Sequence, residues 1–586
     1  MNIKQVSDVL LPAGLATPKL NLLVANENNY TVLLFQPQAR IEASVESGVR
    51  HRDRCLANRQ FLRFLKDAGI VQPDLAITPE YSMPWETLVA AIKGGAVPAD
   101  GKLWALGCES IKYSELERIK QELAPFATVL YETLQPDPAR LTDPLAYVFL
   151  APHAHGTGAA RIAVLVQFKT YPMGDRIHFE VNGLHRGTCI YQFGGCGQDG
   201  QAIRLVSLIC SDAFAFTDTD AAAMYDRTLV IHIQLTRDPR QTLYRQYREN
   251  LLKFQGDATE LICLNWARDV RVWCNGQEQP WHNIAGSAWY SKSSQFDSED
   301  ATLCANHRRG LYYTWLAPFY AHALFLNFEP ATYLLIASKV AHIGVQGPIS
   351  PRRGPQLVKT CTWDDASAAW VERDSMDDGF ASIVGESGHA KDELERIADG
   401  NPIHAERVLA LCAGKVGHRE DWHRVRWIDS CNLDQTEVIC RLTFCQDTHD
   451  RAKEFRVRRL KCCGHLWDIM ENRDCLPPAL ADLKDGFRLE WSPHFPHQNA
   501  LSSKGQRATA IYMGEDCSGE QIEQTAKKVA EYLHRSSSDS NESLLARQRL
   551  SVWSREHGKL VSWGPHRYVK IDQTGDTSEF DIGREE

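Results

Sequence analysis

The sequence predicts an α/β layered domain over residues 30–345, followed by a second domain of different texture. Two observations predict it. Apolar, β-branched runs alternate with amphipathic helical patterns along this stretch, and several neighbouring runs are close enough in sequence to pair as hairpins. The Pro/Gly/Arg-rich stretch VQGPISPRRGPQ then ends the alternation. At 586 residues, the chain is also too long for one ordinary hydrophobic core.

The strands of this domain are predicted from short apolar runs. They are, in order, YTVLLFQP, DLAITPE, LWALGCES, AYVFLA, RIAVLVQFK, TLVIHIQL and ELICLNWA. AYVFLA and RIAVLVQFK are expected to pair. The stretch GTCIYQFGGCGQDGQAIRLVSLIC predicts two further strands joined by a glycine-rich turn, because glycine readily takes positive backbone angles.

The predicted helices show helical spacing of apolar residues. NRQFLRFLKDAGI places Phe61, Phe64 and Leu65 on one face and ends in glycine. ELERIKQELA is a second helix. DPRQTLYRQYRENLLKF is a third, with Asp238 as its cap and Pro239 in its first turn.

The remaining segments have distinct compositions. Residues 1–29 are predicted to be an N-terminal extension, 346–360 a linker, and 361–586 an α+β accessory domain of unknown role. TEVICRLTF and ATAIYM are candidate strands there. Ser518–Leu533 is a predicted helix, with Ser518 and Gln521 spaced as a capping box. The C-terminal sequence DQTGDTSEFDIGREE is acidic and predicted to be a flexible tail.

Composition excludes several classes of protein. The formal charge of −9 gives no overall basic footprint, so nucleic acid is not the expected partner. The basic run RAKEFRVRRLK fits an edge strand with a solvated face, since Phe455, Val457 and Leu460 alternate with arginines. Nucleic-acid binding is the weaker alternative for this run. The longest apolar stretch, APFYAHALFLNFEPATYLLIASKV, is broken by polar residues and predicts buried strands, not a membrane span.

The N-terminal sequence and the number of cysteines indicate in which cellular compartment we expect the protein. The N-terminus lacks the continuous apolar core of a signal peptide, and 17 cysteines accompany it. We therefore expect reduced thiols in a cytoplasmic protein. Zinc ligation was weighed for the Cys and His residues after residue 400. No clean C-x-x-C pair repeats there, so buried thiols are favoured and no metal is expected.

Three predicted strands end in chemically useful residues. DLAITPE ends at Glu80, AVLVQFK at Lys169, and LVSLIC at Cys210. Side chains at the carboxyl ends of neighbouring strands can converge on one pocket. A thiol, a carboxylate and an ammonium suit amide or nitrile cleavage: the thiol attacks, the carboxylate moves protons, and the ammonium stabilises an oxyanion. Each residue alone also fits a bland role: a turn carboxylate, a solvated lysine and a core thiol.

These motifs resemble the nitrilase, or carbon–nitrogen hydrolase, superfamily over about residues 30–345. TPEY, FKTYP and LICSDAF resemble its glutamate, lysine and cysteine motifs, in that order. The resemblance implies a four-layer α-β-β-α sandwich, a Glu80 base, a Lys169 oxyanion stabiliser helped by the backbone N–H of Ser211, and a Cys210 nucleophile. Glu180 is the candidate second carboxylate. The resemblance also implies a homo-oligomer that needs no cofactor.

The sequence departs from the superfamily pattern beside the cysteine. Ser211 stands where an aromatic residue is usual, and HIQLTRDP replaces a more usual pattern after the next strand. Tyr81, Asp212 and Gln234 are candidate substrate-binding residues, although Asp212 also suits a capping role. The substrate therefore cannot be copied from a better-known branch.

Two functions remain open on this sequence. The first is a cysteine-dependent hydrolase of a non-peptide C–N bond, with an amide preferred over a nitrile as substrate. The second is a catalytically silent sensing or assembly module whose C-terminal domain binds a protein partner, as in a bacterial stress or defence system. The reactivity of Cys210 distinguishes them.

Overall fold

The computed structural model divides the chain into two compact units. Unit 1 comprises Met1–Asp297, Arg308–Tyr313 and Phe319–Met376; unit 2 comprises Ser298–His307, Thr314–Pro318 and Asp377–Glu586. The described residues are 1–26, 28–38, 40–135, 137–154, 158–174, 180–195, 201–224, 226–239, 241–253, 258–268, 270–274, 276–281, 286–292, 296–297, 300–316, 319–341, 352–414, 450–515, 517–537 and 539–563.

Strands dominate the chain up to residue 376, as the alternation predicts. They are β1 (Ile3–Gln5), β2 (Asn29–Gln36), β3 (Arg40–Ser44), β4 (Gly48–His51), β5 (Leu75–Met83), β6 (Leu103–Cys108), β7 (Ile111–Lys112), β8 (Ala127–Tyr131), β9 (Leu141–Thr142), β10 (Pro144–Ala151), β11 (Arg161–Phe168), β12 (Ile190–Gly194), β13 (Arg204–Ile209), β14 (Thr228–Ile233), β15 (Thr259–Leu264), β16 (Val270–Cys274), β17 (Gln277–Trp281), β18 (Ala288–Lys292), β19 (Phe296–Asp297), β20 (Leu311–Leu316), β21 (Ala321–Leu326), β22 (Ala331–Ser338), β23 (Arg352–Arg353), β24 (Gln356–Asp364) and β25 (Ala369–Glu372). The helices of the same stretch are α1 (Val6–Leu10), α2 (Arg54–Val71), α3 (Trp85–Lys93), α4 (Tyr113–Leu123), α5 (Glu180–Gly183), α6 (Asp218–Met224), α7 (Thr242–Leu252) and α8 (Asp300–Arg308).

Two large sheets organise unit 1. A nine-stranded sheet has the order β25-β24-β22-β2-β5-β6-β10-β11-β8. The second large sheet contains β1, β12, β13, β14, β15, β18 and β21, in this order. Within it β13, β14 and β15 are parallel, so their carboxyl ends lie at one edge. The fold is therefore mixed α/β.

A smaller sheet in unit 1 has the order β17-β16-β3-β4. Its buried face contributes Ile41, Val49 and Val272 to an apolar cluster that also contains Tyr81 and Trp266. Tyr81 directly follows the candidate base Glu80, so this small sheet lies against one wall of the candidate site.

The amphipathic helix pattern predicted for α2 is confirmed. Phe61, Phe64 and Leu65 are buried in a core cluster with Trp104 of β6. Burying one such side chain contributes about 1.5–3 kcal/mol. The predicted glycine end is wrong: the helix continues to Val71 and ends where Gln72 takes a left-handed φ of 51°.

The predicted start of α7 is also wrong. The helix begins at Thr242, with Gln241 rather than Asp238 in the cap position. Asp238 belongs to a preceding turn instead, because its carbonyl accepts a hydrogen bond from the Gln241 N–H at 3.1 Å. The predicted cap, Asp238, thus lies three residues before the observed cap, Gln241.

The predicted N-terminal extension, residues 1–29, and the predicted linker, residues 346–360, both contain strands of unit 1. β1 lies within the predicted N-terminal extension, yet it pairs in parallel with β12. β24 begins inside the predicted linker and pairs with β22, which extends the nine-stranded sheet. Leu357 of β24 is fully buried, so the apolar core continues past the Pro/Gly-rich stretch.

Unit 2 is an α+β arrangement with its own core. After residue 376 its described helices are α9 (Phe380–Ile383), α10 (Lys391–Gly400), α11 (Pro402–Cys412), α12 (Asp450–Glu471), α13 (Gly519–Arg535) and α14 (Ser540–Gln548), and its described strands are β26 (Phe487–Leu489), β27 (Ala500–Ser502), β28 (Arg507–Glu515), β29 (Leu550–Glu556) and β30 (Lys559–Trp563). The strands form one five-stranded sheet in chain order. Trp553 is fully buried in the core cluster of this unit.

Sequence predictions for unit 2 had mixed outcomes. The helix capped by Ser518 is confirmed as α13, and Ser518 and Gln521 form the capping box. The strand predicted for RAKEFRVRRLK is wrong, because these residues belong to α12. Leu460, Cys463 and Leu466 are buried at helical spacing, a pattern that continues past the basic run. The TEVICRLTF strand, six of the Cys and His residues weighed for zinc and the acidic tail lie outside the described residues.

No helix in the described part of the chain is long and apolar enough to cross a membrane.

Candidate active site

The predicted carboxylates Glu80 and Glu180 meet around the ammonium group of Lys169. Its Nζ atom lies 2.7 Å from Glu80 Oε1 and 2.9 Å from Glu180 Oε2. Asp143 Oδ2 lies 3.3 Å away. All four side chains are almost completely buried. The structure therefore brings Glu80, Lys169 and the second carboxylate Glu180 together.

Asp143 is a member of this cluster that the sequence predictions missed. β10 and β11 pair antiparallel with Pro144 opposite Phe168, which places Asp143 opposite Lys169. The Lys169 N–H also donates to the Asp143 carbonyl at 2.9 Å. Extending the predicted strand AYVFLA by three residues toward its N-terminus, opposite the end of RIAVLVQFK, would have found it.

The cluster contains three carboxylates and one ammonium. Burial alone would lower the pKa of Lys169, but Glu180 and Glu80 outweigh burial and raise that pKa well above its ordinary value. Burial, followed by the charge on Glu80, raises the pKa of Asp143 well above its ordinary value. We infer that Lys169 is charged and that Asp143 holds a proton.

The same three carboxylates are the residues here that could hold a metal ion. One oxygen from each of Glu80, Asp143 and Glu180 lies within 4.8 Å of the others. Lys169 already supplies a positive charge in contact with all three. The donor set is thus balanced by an ammonium group.

Cys210 directly follows β13, as predicted, and opens a 3-10 turn over Cys210–Ala215. Its φ of 44° is left-handed, which is strained for a residue with a Cβ atom. Its Sγ atom lies 2.9 Å from the Tyr244 hydroxyl oxygen. Burial raises the pKa of the Cys210 thiol well above its ordinary value, Glu80 raises it further, and Lys169 opposes them. The resting sulfur is therefore a thiol.

His232 fixes the backbone at Cys210. Burial lowers the pKa of His232 to about 3, so the ring is neutral. His232 Nε2 lies 2.9 Å from the Cys210 carbonyl oxygen. A carbonyl can only accept, so the Nε2–H must donate. His232 therefore holds the turn that carries the thiol.

Glu80 lies at an irregularity within β5, not at the end of a strand. The pairing of β5 with β6 shifts register between Thr78 and Met83. Tyr81 there has a φ of 59°. The Trp266 Nε1–H donates to the Glu80 carbonyl at 2.8 Å, and the Leu235 N–H donates to Glu80 Oε2 at 2.7 Å. The carboxylate is thus anchored through both its backbone and its side chain.

Tyr81 is tied to the second carboxylate. Its hydroxyl group donates to Glu180 Oε1 at 2.9 Å. The Met173 N–H donates to Glu180 Oε2 at 2.7 Å. Burial raises the pKa of Tyr81 well above its ordinary value, which keeps the hydroxyl group a donor. Tyr81 therefore orients a carboxylate that contacts Lys169.

Asp212 and Ser211 hold the segment that follows β11. Asp212 Oδ1 accepts hydrogen bonds from the Thr170 N–H, the Thr170 hydroxyl and the Tyr171 N–H, all between 2.8 and 2.9 Å. Asp212 Oδ2 accepts from the Ile209 N–H at 3.1 Å. Burial raises the pKa of Asp212 to about 6, although these hydrogen bonds oppose the shift. The Ser211 hydroxyl donates to the Tyr171 carbonyl at 2.7 Å, so the residue that replaces an aromatic ties two loops together.

Gln234 follows β14 and is 1% exposed. Neither polar atom of its side chain has a hydrogen-bond partner among the described residues. The next residue, Leu235, binds the Glu80 carboxylate. A buried carboxamide without a partner is costly, by about 1–3 kcal/mol. This observation favours the predicted role of Gln234 in binding substrate.

The site combines the groups that thiol-based acyl transfer needs. Cys210 offers a thiol whose pKa responds to the charges on Glu80 and Lys169. Glu80 can accept a proton, and Lys169 can stabilise negative charge in surroundings that exclude water. The Ser211 N–H stays a predicted oxyanion donor.

Comparisons with known proteins found matches among solved structures. No family model matches the chain, and no curated protein matches it. Similar solved structures include a glutamine-dependent NAD+ synthetase from Acinetobacter baumannii in complex with adenosine diphosphate (12% identity, TM-score 0.29), covering 63% of this chain and 52% of that one. The chain thus spans about half the length of that enzyme.

Two shorter structures match part of the chain. An amidase from Nesterenkonia sp. is 15% identical, with 47% of this chain and 86% of that chain covered and a TM-score of 0.26. XC1258 from Xanthomonas campestris, a CN-hydrolase superfamily protein with an arsenic adduct in its active site, is 13% identical over 45% of this chain and 82% of that chain, with a TM-score of 0.27. These proteins are from the superfamily that the sequence motifs resemble. Because every TM-score is below 0.5, the likeness decides neither the fold nor the activity of this chain.

Proposed function

We propose that this protein hydrolyses a non-peptide C–N bond, that of a small amide, through a covalent intermediate on Cys210. The observation that carries the proposal is the buried ion pair between Lys169 and Glu80, at 2.7 Å, in electrostatic contact with a thiol held at a strained turn. Strained residues cluster at functional sites. Cys210 and Tyr81 are two such residues in one cluster.

The first half-reaction forms an acyl-enzyme. The Cys210 sulfur attacks the amide carbon while Glu80 takes the thiol proton, because the resting sulfur is protonated. The carbonyl oxygen becomes an oxyanion, which Lys169 and the Ser211 N–H stabilise. The C–N bond then breaks, and the amine leaves with the proton that Glu80 holds.

The second half-reaction releases the acid. Water attacks the thioester carbon while Glu80 takes one of its protons, and Lys169 again faces the oxyanion. The C–S bond breaks, the sulfur regains the proton, and a carboxylic acid leaves. Glu180, held by Tyr81, keeps Lys169 charged and in place throughout. Gln234 supplies a carboxamide that can bind the polar end of the substrate.

The proposed function goes with a proposed arrangement of the two large sheets of unit 1. We infer that the two large sheets are the inner layers of a four-layer α-β-β-α sandwich. Gln167 of the nine-stranded sheet donates to the Ser207 carbonyl of the other sheet at 2.9 Å, and the rings of Tyr147 and Phe193 lie 5.0 Å apart. Homo-oligomer formation stays a prediction.

The first test measures ammonia release from a panel of small primary amides, with intact mass spectrometry to detect an acyl adduct. We expect turnover by the wild-type protein and a loss of more than about 1000-fold in Cys210→Ala. Cys361→Ala removes a buried thiol from β24 and is the matched control. Full turnover by Cys210→Ala would overturn the mechanism.

A second measurement needs no substrate. Iodoacetamide labelling, resolved by peptide mass spectrometry, compares Cys210 with the buried thiols Cys108 and Cys361. The resting sulfur is a buried thiol, but Glu80 can take its proton as the sulfur attacks the reagent, with Lys169 holding Glu80 in place. We therefore expect Cys210 to react fastest of the three and to lose that advantage in Glu80→Gln and Lys169→Ala. Equal rates for all three thiols would favour the silent module instead.

A further inference from the structure

Unit 1 has a cavity of about 880 Å³ that opens where the small sheet meets the start of α2. Its lining includes the arginines Arg40, Arg52, Arg54 and Arg271, and all four are exposed. Asp53 is the acidic residue of the lining, and its carboxylate caps α2 by accepting from the Leu56 N–H at 3.0 Å. The cavity is therefore strongly cationic in a chain whose formal charge is −9.

Three of these arginines form a row across adjacent strands. Arg271 of β16 is the register partner of Arg40 in β3. β3 and β4 pair with Ile41 opposite His51, so Arg52 lies opposite Arg40 on the other side. The Arg52 N–H donates to the Arg40 carbonyl at 2.9 Å, which confirms this register. Directly opposite residues share one face of a sheet, so the row faces one side.

Such a row is unfavourable for the sheet, because like charges directly opposite each other destabilise strand pairing. Arg271 has a carboxylate partner, Glu278, at 3.2 Å. Arg40 lies between two arginines, and its guanidinium has no carboxylate within ion-pair distance among the described residues. Among the described residues, the central arginine of the row thus carries a positive charge with no carboxylate in ion-pair contact.

Two neighbouring features shape the cavity. The Arg52 guanidinium lies 4.4 Å from the centre of the Trp273 ring, which orients this long side chain. Arg54 opens the 18-residue helix α2, whose first backbone N–H groups favour negative charge. Arg54 is paired with Glu86, so its contribution is smaller than that of Arg40.

We propose that this cavity binds a small ligand that carries at least two phosphate groups. Adjacent strands lie about 4.8 Å apart, so the row spans roughly 10 Å, which is wider than one phosphate group needs. Guanidinium groups bind phosphate through paired hydrogen bonds. The concave shape favours a small molecule over a nucleic-acid strand. Cys55 lines the same cavity and is exposed, so it reports on occupancy.

The test titrates inorganic pyrophosphate, with orthophosphate for comparison, by isothermal titration calorimetry. We expect pyrophosphate to bind at least tenfold more tightly than orthophosphate, with affinity falling as salt rises. Pyrophosphate should slow iodoacetamide labelling of Cys55 and leave that of the partly exposed Cys475 in unit 2 unchanged. Arg40→Gln should weaken binding at least tenfold.

Arg63→Gln is the matched control, because Arg63 is exposed on α2 and pairs with Asp67 outside the cavity. It should bind pyrophosphate as the wild type does. Arg40→Gln should unfold at the same or a higher temperature without ligand, which separates lost binding from lost folding. Equal binding by both variants, or no binding at millimolar pyrophosphate, would overturn the proposal. Tighter binding of single-stranded DNA through Arg40 would replace it with a nucleic-acid site.

Discussion

Cys210 and Tyr81 show how much of the candidate site is set by single backbone angles. Both are buried non-glycine residues with left-handed φ values, 44° and 59°. Each costs of order 1–3 kcal/mol, which surrounding contacts must offset. At Cys210 those contacts come from His232 and Tyr244. The strained backbone at Cys210 and the contacts that hold it agree with the proposed role of this residue as a nucleophile.

Replacement of Cys210 should reveal this strain in stability measurements. At an ordinary strand position alanine is more stable than glycine by about 0.5–1 kcal/mol. At a φ of 44° we expect the reverse, with Cys210→Gly more stable than Cys210→Ala by about 1 kcal/mol. Urea unfolding measures the difference. The Cys263→Gly and Cys263→Ala pair in β15 should keep the ordinary order, and the same order at both positions would contradict the argument.

Asp143 should make stability depend on pH. Its pKa is raised in the folded state, so the stability gained from its proton is fully present below its ordinary pKa of 3.8 and is lost as pH rises through the folded value. Asparagine keeps the neutral form. We therefore expect Asp143→Asn to match the wild type near pH 4 and to exceed it increasingly toward pH 9.

The measurement for Asp143 is urea unfolding across this pH range. A pKa displacement of one corresponds to about 1.4 kcal/mol, so the gain should be resolvable. Asp137→Asn, at a partly exposed carboxylate paired with Arg140, is the control for charge alone. A stability difference that shrinks as pH rises would show that Asp143 is ionised in the folded protein.

At the scale of elements, the irregularity in β5 depends on its neighbour β6. A Cβ atom on Gly107 would lie 2.1 Å from the Pro79 carbonyl oxygen and 2.9 Å from Glu80 Cα. Both are backbone atoms, so neither can move without displacing the candidate base. The glycine thus permits the close approach that aims Glu80 at Lys169.

Gly107→Ala should therefore damage the site more than the fold. We expect a loss of about 1–3 kcal/mol from overpacking, and the loss of any labelling advantage of Cys210 over Cys108. Gly69→Ala on α2 is the control, since its nearest contact would be an ordinary 3.7 Å. Unchanged labelling in Gly107→Ala would show that Glu80 is positioned by other contacts.

At the scale of the whole molecule, the sequence predicts most of the strands of unit 1 and the meeting of Glu80 with Lys169. This success has a physical basis: buried strands have continuous apolar runs, and the residue after each run is easy to identify. Asp143 and Tyr244 escaped prediction because each reaches the site through pairing or packing between distant segments. Local pattern carries no such information.

The errors of prediction have the same origin. The arginine-rich segment of α12 alternates like a strand over a few residues, and the helical spacing appears only in the longer stretch that tertiary packing buries. The domain boundary was placed at a composition change, whereas β24 and β25 continue the sheet beyond it. Composition marks a loop, but it does not reveal which strands pair across that loop.

The burial of the candidate site limits how often a substrate molecule can reach Cys210, and so limits the rate of the proposed reaction. Cys210 is 2% exposed, and Lys169 is not exposed at all. A molecule from solvent can meet the sulfur only after the surrounding segments part, so the frequency of opening is an upper bound on turnover. Large substrates need wider and rarer openings than small ones. The protein would then discriminate among substrates by arrival rate, before any chemistry begins.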